Sequence, residues 1–143
     1  MKKWWKKYKF FVLAIFLVVV MAGIYGYREY NRGLADTHNL KPAFKIEASD
    51  FVGKFESNEP QANALYADKA VSVHGVISSI QTTDTSATVF LNDGSSVTSV
   101  MCQFGKGNNE QIRKLRKGEV ITIKGICSGY LLDVVMVRCV VDQ

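Results

Sequence analysis

Histidine is scarce in this 143-residue chain, which has only His38 and His74, and cysteine is limited to Cys102, Cys127 and Cys139. The paired spacings that zinc sites need cannot be written with five such scattered residues, so no metal is expected. Neither histidine has a nucleophile and an orienting carboxylate at a recognisable distance along the chain. A glycine-rich phosphate loop is missing as well, because Gly105 to Gly107 is too short and lacks the required pattern. These absences point to a protein that is not an enzyme and that holds no cofactor.

Excess charge is also missing from most of the chain. The formal net charge is +5, yet Lys2, Lys3, Lys6, Lys7 and Lys9 supply five of the 18 basic residues, and from Arg28 onward basic and acidic side chains balance at 13 each. The high isoelectric point belongs to residues 1–9 alone. Between that basic tail and Arg28 lies Phe10 to Tyr27, FFVLAIFLVVVMAGIYGY, without a single charge. At about 1.5 Å per residue this run spans roughly 27 Å, close to a bilayer core. It reads as a transmembrane helix. Trp4, Trp5 and Tyr8 before it, and Tyr25, Tyr27 and Tyr30 at its far end, suit interfacial aromatic belts. The lysines should remain in the cytoplasm, which places everything after Arg28 outside it. A cleaved signal peptide shares the charged start and apolar run. Against cleavage, no A-x-A site follows the run, and no cysteine stands there for lipid attachment.

Residues 28–48 are polar, lack clear periodicity and read as a juxtamembrane linker, in which Tyr25 to Arg32 extends the membrane helix and Pro42 ends any helix. Residues 49–68 read as two short helices. Ser49 is the expected cap of the first, with Phe51, Val52 and Phe55 on one face, and Asn58 of the second, with Pro60 in its first turn. Phe51, Phe55 and Tyr66 are expected to pack on the strands of residues 69–143.

Those residues carry the strand signals. In Lys69 to Ile80, Val71, Val73 and Ile77 alternate with Ser72, His74 and Ser78, and Gly75 interrupts the inward row where a bulge or a sharp coil of the strand is expected. A second strand is expected over Thr88 to Asn92 and a third over Ser96 to Phe104, joined by the turn signal Asn92-Asp93-Gly94-Ser95. Thr98, Val100, Cys102 and Phe104 then share a face. A short helix from Glu110 to Arg116 comes next, with Asn109 as cap and Gly118 in the left-handed position beyond its end. Glu119 to Ile126 and Leu131 to Val141 form a closing hairpin about Ser128, Gly129 and Tyr130. Three strands, a helix and two strands is the order of the five-stranded oligonucleotide/oligosaccharide-binding (OB) barrel. The fold class is thus mainly β with short helices (α+β), a five-stranded barrel behind one N-terminal transmembrane helix.

Two stretches carry a family likeness: FVGKFESNEPQANALYADKAVSVHGVISSI, from Phe51 to Ile80, and LRKGEVITIKGICSGYLLDVVMVRCVV, from Leu115 to Val141. The chain resembles the tRNA_anti-like family of membrane-attached bacterial OB-fold proteins, whose biochemical role is largely undefined. The resemblance implies a fold and a bacterial inner-membrane setting. It implies no catalytic residue.

The cysteines lie on apolar strand faces and read as buried thiols or, in an oxidising compartment, as a Cys102–Cys139 disulfide formed where the third and fifth strands run parallel, with Cys127 at the other end of the barrel. Arg113, Lys114, Arg116 and Lys117 form the one basic cluster of the domain, either as the solvated end of a short helix or as contacts to phosphates of nucleic acid or lipid. Single-strand binding usually needs aromatic platforms in a positive groove on the second and third strands. Phe90 is the one candidate there, beside small polar residues such as Ser96 and Thr98. Phe90, Ser96 and Thr98 therefore mark the expected ligand face, with the loops after Ile80 and Gly125. The expected function is a membrane-anchored extracytoplasmic binding module for an envelope protein or small ligand, and the alternative is a single-stranded nucleic-acid-binding domain.

Overall fold

In a computed structural model, residues 2–32 and 37–142 are described; the side chains of residues 2–8, 29–32 and Asn109 fall outside that description, and with them the expected interfacial placement of Trp4, Trp5, Tyr8 and Tyr30 and the Asn109 cap. The chain divides into a unit ending at Asp36 and a compact unit from Thr37 to Gln143.

The first unit is one helix, α1 (Lys2–Arg32). Its window from Lys9 to Arg28 has a mean hydropathy of 2.4 and is long and apolar enough to cross a membrane. The basic tail continues into the helix, which is consistent with lysine and tryptophan carrying no helix-breaking penalty.

The second unit is a mixed sheet closed into a barrel. A 3-10 turn, Thr37–Asn39, leads to β1 (Phe44–Glu47), α2 (Ala48–Ser57) and α3 (Glu59–Tyr66). Then come β2 (Ala70–Thr82), β3 (Ala87–Leu91), β4 (Val100–Phe104), α4 (Asn109–Ile112), β5 (Val120–Tyr130) and β6 (Val134–Val141). Strands β2 to β6 form the expected five-stranded OB barrel: β2 pairs antiparallel with β3 and β5, β3 with β4, β5 with β6, and the parallel β4–β6 seam closes the wall.

Several boundaries differ from those read in the sequence. β1 lies inside the stretch read as linker and pairs parallel with β2, Phe44 opposite Val71. Its Phe-Lys-Ile-Glu alternation is half-buried inward and exposed outward, a strand too short to stand out by period alone. Helix α2 starts at Ala48 without a side-chain cap, so Ser49 does not cap it, whereas Asn58 caps α3 by accepting from Gln61 N at 3.2 Å. The residues from Asn92 to Ser99 form a loop, and Thr98 stands outside the strand face expected of it. The Asn92 side-chain amide explains why: it donates to the carbonyls of Ser96 (2.8 Å) and Thr98 (3.2 Å), drawing this backbone away from a ladder. The final turn falls at Leu131–Asp133, three residues later than expected. Helix α4 is a single turn rather than seven residues, and Lys114 N and Leu115 N bond three residues back instead of four. The close spacing of Arg113, Lys114, Arg116 and Lys117 disfavours a longer helix, because like charges three or four apart repel. Gly118 has φ 87, the left-handed conformation expected of it.

The core runs along the barrel axis and out to the helices. Val71, Val73, Ile77, Val89, Leu91, Val100, Ile123, Val134 and Met136 are buried from the strands. Phe51 and Phe55 of α2 and Tyr66 of α3 cover one end, with Phe51 and Tyr66 edge-to-face at 5.1 Å. Tyr130 of β5 stacks on Phe55 at 5.7 Å, fastening the helical cover to the last hairpin. Gly75 marks a close approach rather than a bulge: a Cβ there would stand 2.7 Å from Cβ of Ala48, so α2 rests on bare backbone. The register irregularity of β2 comes later, between Ile77 and Ser79.

Candidate ligand face

Alternation in β3 and β4 fixes what the outer wall of the barrel presents. Ala87, Val89 and Leu91 are buried while Thr88 and Phe90 turn the other way, and in β4 Val100, Cys102 and Phe104 are buried while Met101 and Gln103 turn outward. Register then joins these side chains into rows. Ser79 lies opposite Phe90, Phe90 opposite Met101, and Met101 beside Val135 of β6; below them Gln81 lies opposite Thr88 and Thr88 opposite Gln103. This face has a half-buried apolar stripe of Phe90, Met101 and Val135 flanked by hydroxyls and primary amides, and none of these residues is charged.

Of the residues expected on the ligand face, Phe90 is on it. Ser96 and Thr98 are in the Asn92–Ser99 loop, where the Ser96 hydroxyl donates to Glu56 Oε1 at 2.8 Å and its oxygen accepts from Thr98 N at 3.1 Å. They therefore rim one end of the barrel and do not share the row with Phe90. Met101 and Val135 were missed because apolar alternation alone does not say which face of a closed barrel a methionine or valine takes; the register does.

The Asn92–Ser99 loop is tied to the last turn. Asp133 Oδ1 accepts from Ser99 N at 2.7 Å, and Val134 N donates to Ser99 O at 3.0 Å. Asp133 thus satisfies loop backbone. Asp93 accepts from Ser95, and these bonds hold its carboxyl below the usual carboxylate value.

The three cysteines are free thiols and are fully buried. Cys102 and Cys139 are brought together across the parallel seam, where the Cys139 thiol is within hydrogen-bonding reach of Cys102. Burial first, then Cys102, pushes the Cys139 thiol well above its ordinary value. Cys127 does not lie at the opposite end of the barrel: Met136 pairs with both Cys102 and Cys127, so all three share one row, with β6 between the two cysteines. The register shifts in both β6 ladders move Cys127 to that level.

His74 is exposed on the outer side of β2, its Nδ1 2.9 Å from Thr122 Oγ1. It lines a groove of about 560 Å³ with Glu47, Asp50 and Asp142. Among the described residues no group of three His, Cys, Asp or Glu side chains is placed to hold a metal ion.

Arg113, Lys114, Arg116 and Lys117 are all exposed, while Ile112 is buried and Leu115 half-buried. Lys114 and Leu115 line a second groove, about 540 Å³, together with His38, Gln111, Lys124 and Asp142. Lys124 is buried and donates from Nζ to His38 O at 3.1 Å, with Asp142 Oδ1 at 3.8 Å. The turn at Thr37–Asn39 is thereby fastened to the barrel. His38, expected in the juxtamembrane linker, is part of this groove.

The profile of the tRNA_anti-like family matches residues 1–141. Among solved structures, a lipoprotein from Klebsiella pneumoniae to which nucleic-acid binding is provisionally ascribed is 22% identical, with a TM-score of 0.60 over 71% of this chain and 93% of its own. At that identity the likeness establishes a shared fold. Two structures of asparaginyl-tRNA synthetase from Pyrococcus horikoshii, one of them with asparaginyl-adenylate, match at 16% identity and a TM-score of 0.38 over 55% of this chain. The chain spans about a fifth of the synthetase, 20% and 21% in the two structures. A comparison with curated proteins found no match.

Proposed function

Since the chain belongs to the tRNA_anti-like family, we propose that it is a membrane-anchored, extracytoplasmic OB-fold module that binds an envelope protein or a small uncharged ligand and performs no chemistry. The observation that carries this reading is the composition of the outer wall. Phe90, Met101 and Val135 form an apolar stripe, and the hydrogen-bonding groups beside it, on Ser79, Gln81, Thr88 and Gln103, are all neutral. Association on such a face draws on burial of apolar area and a few directional hydrogen bonds. Nucleic-acid binding draws mainly on phosphate neutralisation, whereas these rows carry no cation of their own and are bordered by a single basic side chain, Arg138, at the β6 register shift opposite Gln103.

The anchor supports the same reading. Residues 10–27 form the apolar middle of α1, and the lysines of residues 1–9 precede it, the order that keeps an N-terminus in the cytoplasm and sends the barrel across the bacterial inner membrane. A reporter that is active only outside the cytoplasm, fused after Gln143, is expected to be active; activity of a cytoplasm-only reporter would reverse the topology.

The nucleic-acid reading is supported by the family's name and by the description of the Klebsiella lipoprotein. Titration of the full chain in nanodiscs against labelled single-stranded DNA and RNA decides between them. No association at low salt, together with a specific photo-crosslinked adduct from a probe replacing Phe90 in intact cells, is the expected result. Oligonucleotide binding that falls steeply with salt would overturn it.

A further inference from the structure

The basic cluster after α4 remains outside the ligand face. Arg113, Lys114, Arg116 and Lys117 are exposed within five residues, against two nearby carboxylates, Glu110 and Glu119, and Glu119 already accepts from Arg116 N at 3.1 Å. This cluster adjoins the groove of about 540 Å³ that His38 and Lys114 line together. Within that groove Asp142 is engaged by Lys124 and by the Ser72 hydroxyl, which leaves the Lys114 side as the positive wall.

Covalent reach says which surface is near. Only residues 33–36 separate Arg32 from Thr37, and an extended chain covers at most about 3.6 Å per residue, so the Thr37–Asn39 turn stays within roughly 18 Å of the end of α1. That turn is held on the barrel by the Lys124–His38 bond. With α1 in a bilayer, the proposed anchoring on which this step rests, the groove beside His38 is therefore confined close to the headgroups.

We infer that the surface formed by Arg113, Lys114, Arg116 and Lys117, with the His38 groove beside it, docks on anionic lipid headgroups of the membrane in which α1 is embedded. The attraction needs no deep pocket. Each basic side chain near an anionic surface strengthens association by roughly fivefold, and the effect fades beyond about 10 Å. Half-buried Leu115 sits within the cluster, where it meets the interfacial region once the cations are seated. Docking there restrains the orientation of the barrel on the lipid.

The test uses the full chain in nanodiscs of phosphatidylcholine, with or without phosphatidylglycerol, and a spin label on the lipid headgroup. Relaxation of the amides of 112–117 is expected to be strong in the anionic discs and about threefold or more weaker in the neutral ones. The variant R113Q/K114Q/R116Q/K117Q, whose amide spectrum reports that it is folded, is expected to lose the difference. Equal relaxation in both lipids, or a difference the variant keeps, overturns the docking surface. Loss of the relaxation on adding single-stranded RNA at low salt assigns the cluster to nucleic acid instead. Release of the protein from the discs by an alkaline wash would refute the anchor itself, an outcome distinct from an anchored protein whose cluster stays off the lipid.

Discussion

Cys102 and Cys139 meet across the parallel seam that closes the barrel, each on a strand face shut off from solvent. Strands β4 and β6 form the parallel pair that closes the barrel, so a covalent bond here would lock the closing contact. With the barrel on the extracytoplasmic side, as proposed, we expect the two thiols to be joined. The oxidation removes two protons and two electrons, which pass to the disulfide of a thiol oxidoreductase and leave that enzyme as a dithiol. Because both sulfurs are inaccessible once the barrel has closed, the bond must form before or during closure. Alkylation of the denatured, unreduced protein and then mass spectrometry should find Cys127 as the single reactive thiol, and reduction should cost about 2–4 kcal/mol of stability. Three alkylated thiols would refute it.

The reduced protein should show an alkaline weakness. Burial raises the Cys139 thiol well above its ordinary value of 9.0, and burial likewise raises Cys127. Below that ordinary value the thiols are neutral in folded and unfolded chains alike, and stability is at its full level. As pH rises past it, the unfolded chain loses protons that the folded barrel retains, and the unfolded state gains. Denaturant midpoints of the reduced protein should therefore hold steady to about pH 8.5 and decline above it. C139A should decline less steeply; an identical slope in both proteins would exclude Cys139 as the cause.

The bond from Ser99 N to Asp133 Oδ1, 2.7 Å long, joins the Asn92–Ser99 loop to the last turn. A carboxylate accepting from a backbone amide is among the stronger hydrogen bonds, and removing it strands the donor. D133A is expected to destabilise the barrel by about 1–3 kcal/mol and to raise amide exchange in 96–99, as measured by denaturant melts and hydrogen exchange. D133N, which keeps an acceptor oxygen, should recover much of the loss. If exchange in the loop does not change, the tether is not what orders it.

The barrel was legible because its inward aliphatic residues alternate: Val71 and Val73, Val89 and Leu91, Ile121 and Ile123 all point inward as their period demands. Asn58 announced a helix start in the position the structure gives it, and Gly118 a left-handed residue, although the helix it was expected to end stops at Ile112. What stayed hidden depends on partners distant in sequence. β1 is a strand only because β2 offers an unpaired edge, and the loop from Asn92 to Ser99 departs from its strand-like pattern because one asparagine amide is shared among its carbonyls. The ligand face was half-legible. Phe90 could be singled out as an aromatic on the right strand, whereas Met101 and Val135 became its neighbours only through register.

Gly75 offers the sharpest test of how the helical cover sits on the barrel. Its neighbours in β2 on the inward row, Val73 and Ile77, are large and buried, yet at this one position the start of α2 comes so near that a Cβ would stand 2.7 Å from Cβ of Ala48 and 3.5 Å from Cβ of Leu91. The first contact is with a short side chain fixed to helix backbone, so no rotamer change relieves it. Relief requires α2 to move, and α2 carries Phe51 and Phe55, the rings that seal this end against Tyr66 and Tyr130. G75A should therefore lose about 1–3 kcal/mol despite alanine's lower backbone entropy cost on folding. Exposure of the aromatic cluster should appear as increased binding of a hydrophobic dye. The double variant A48G/G75A removes the clashing methyl and should recover stability relative to G75A; if A48G adds its own loss without recovery, the clash is not the cause.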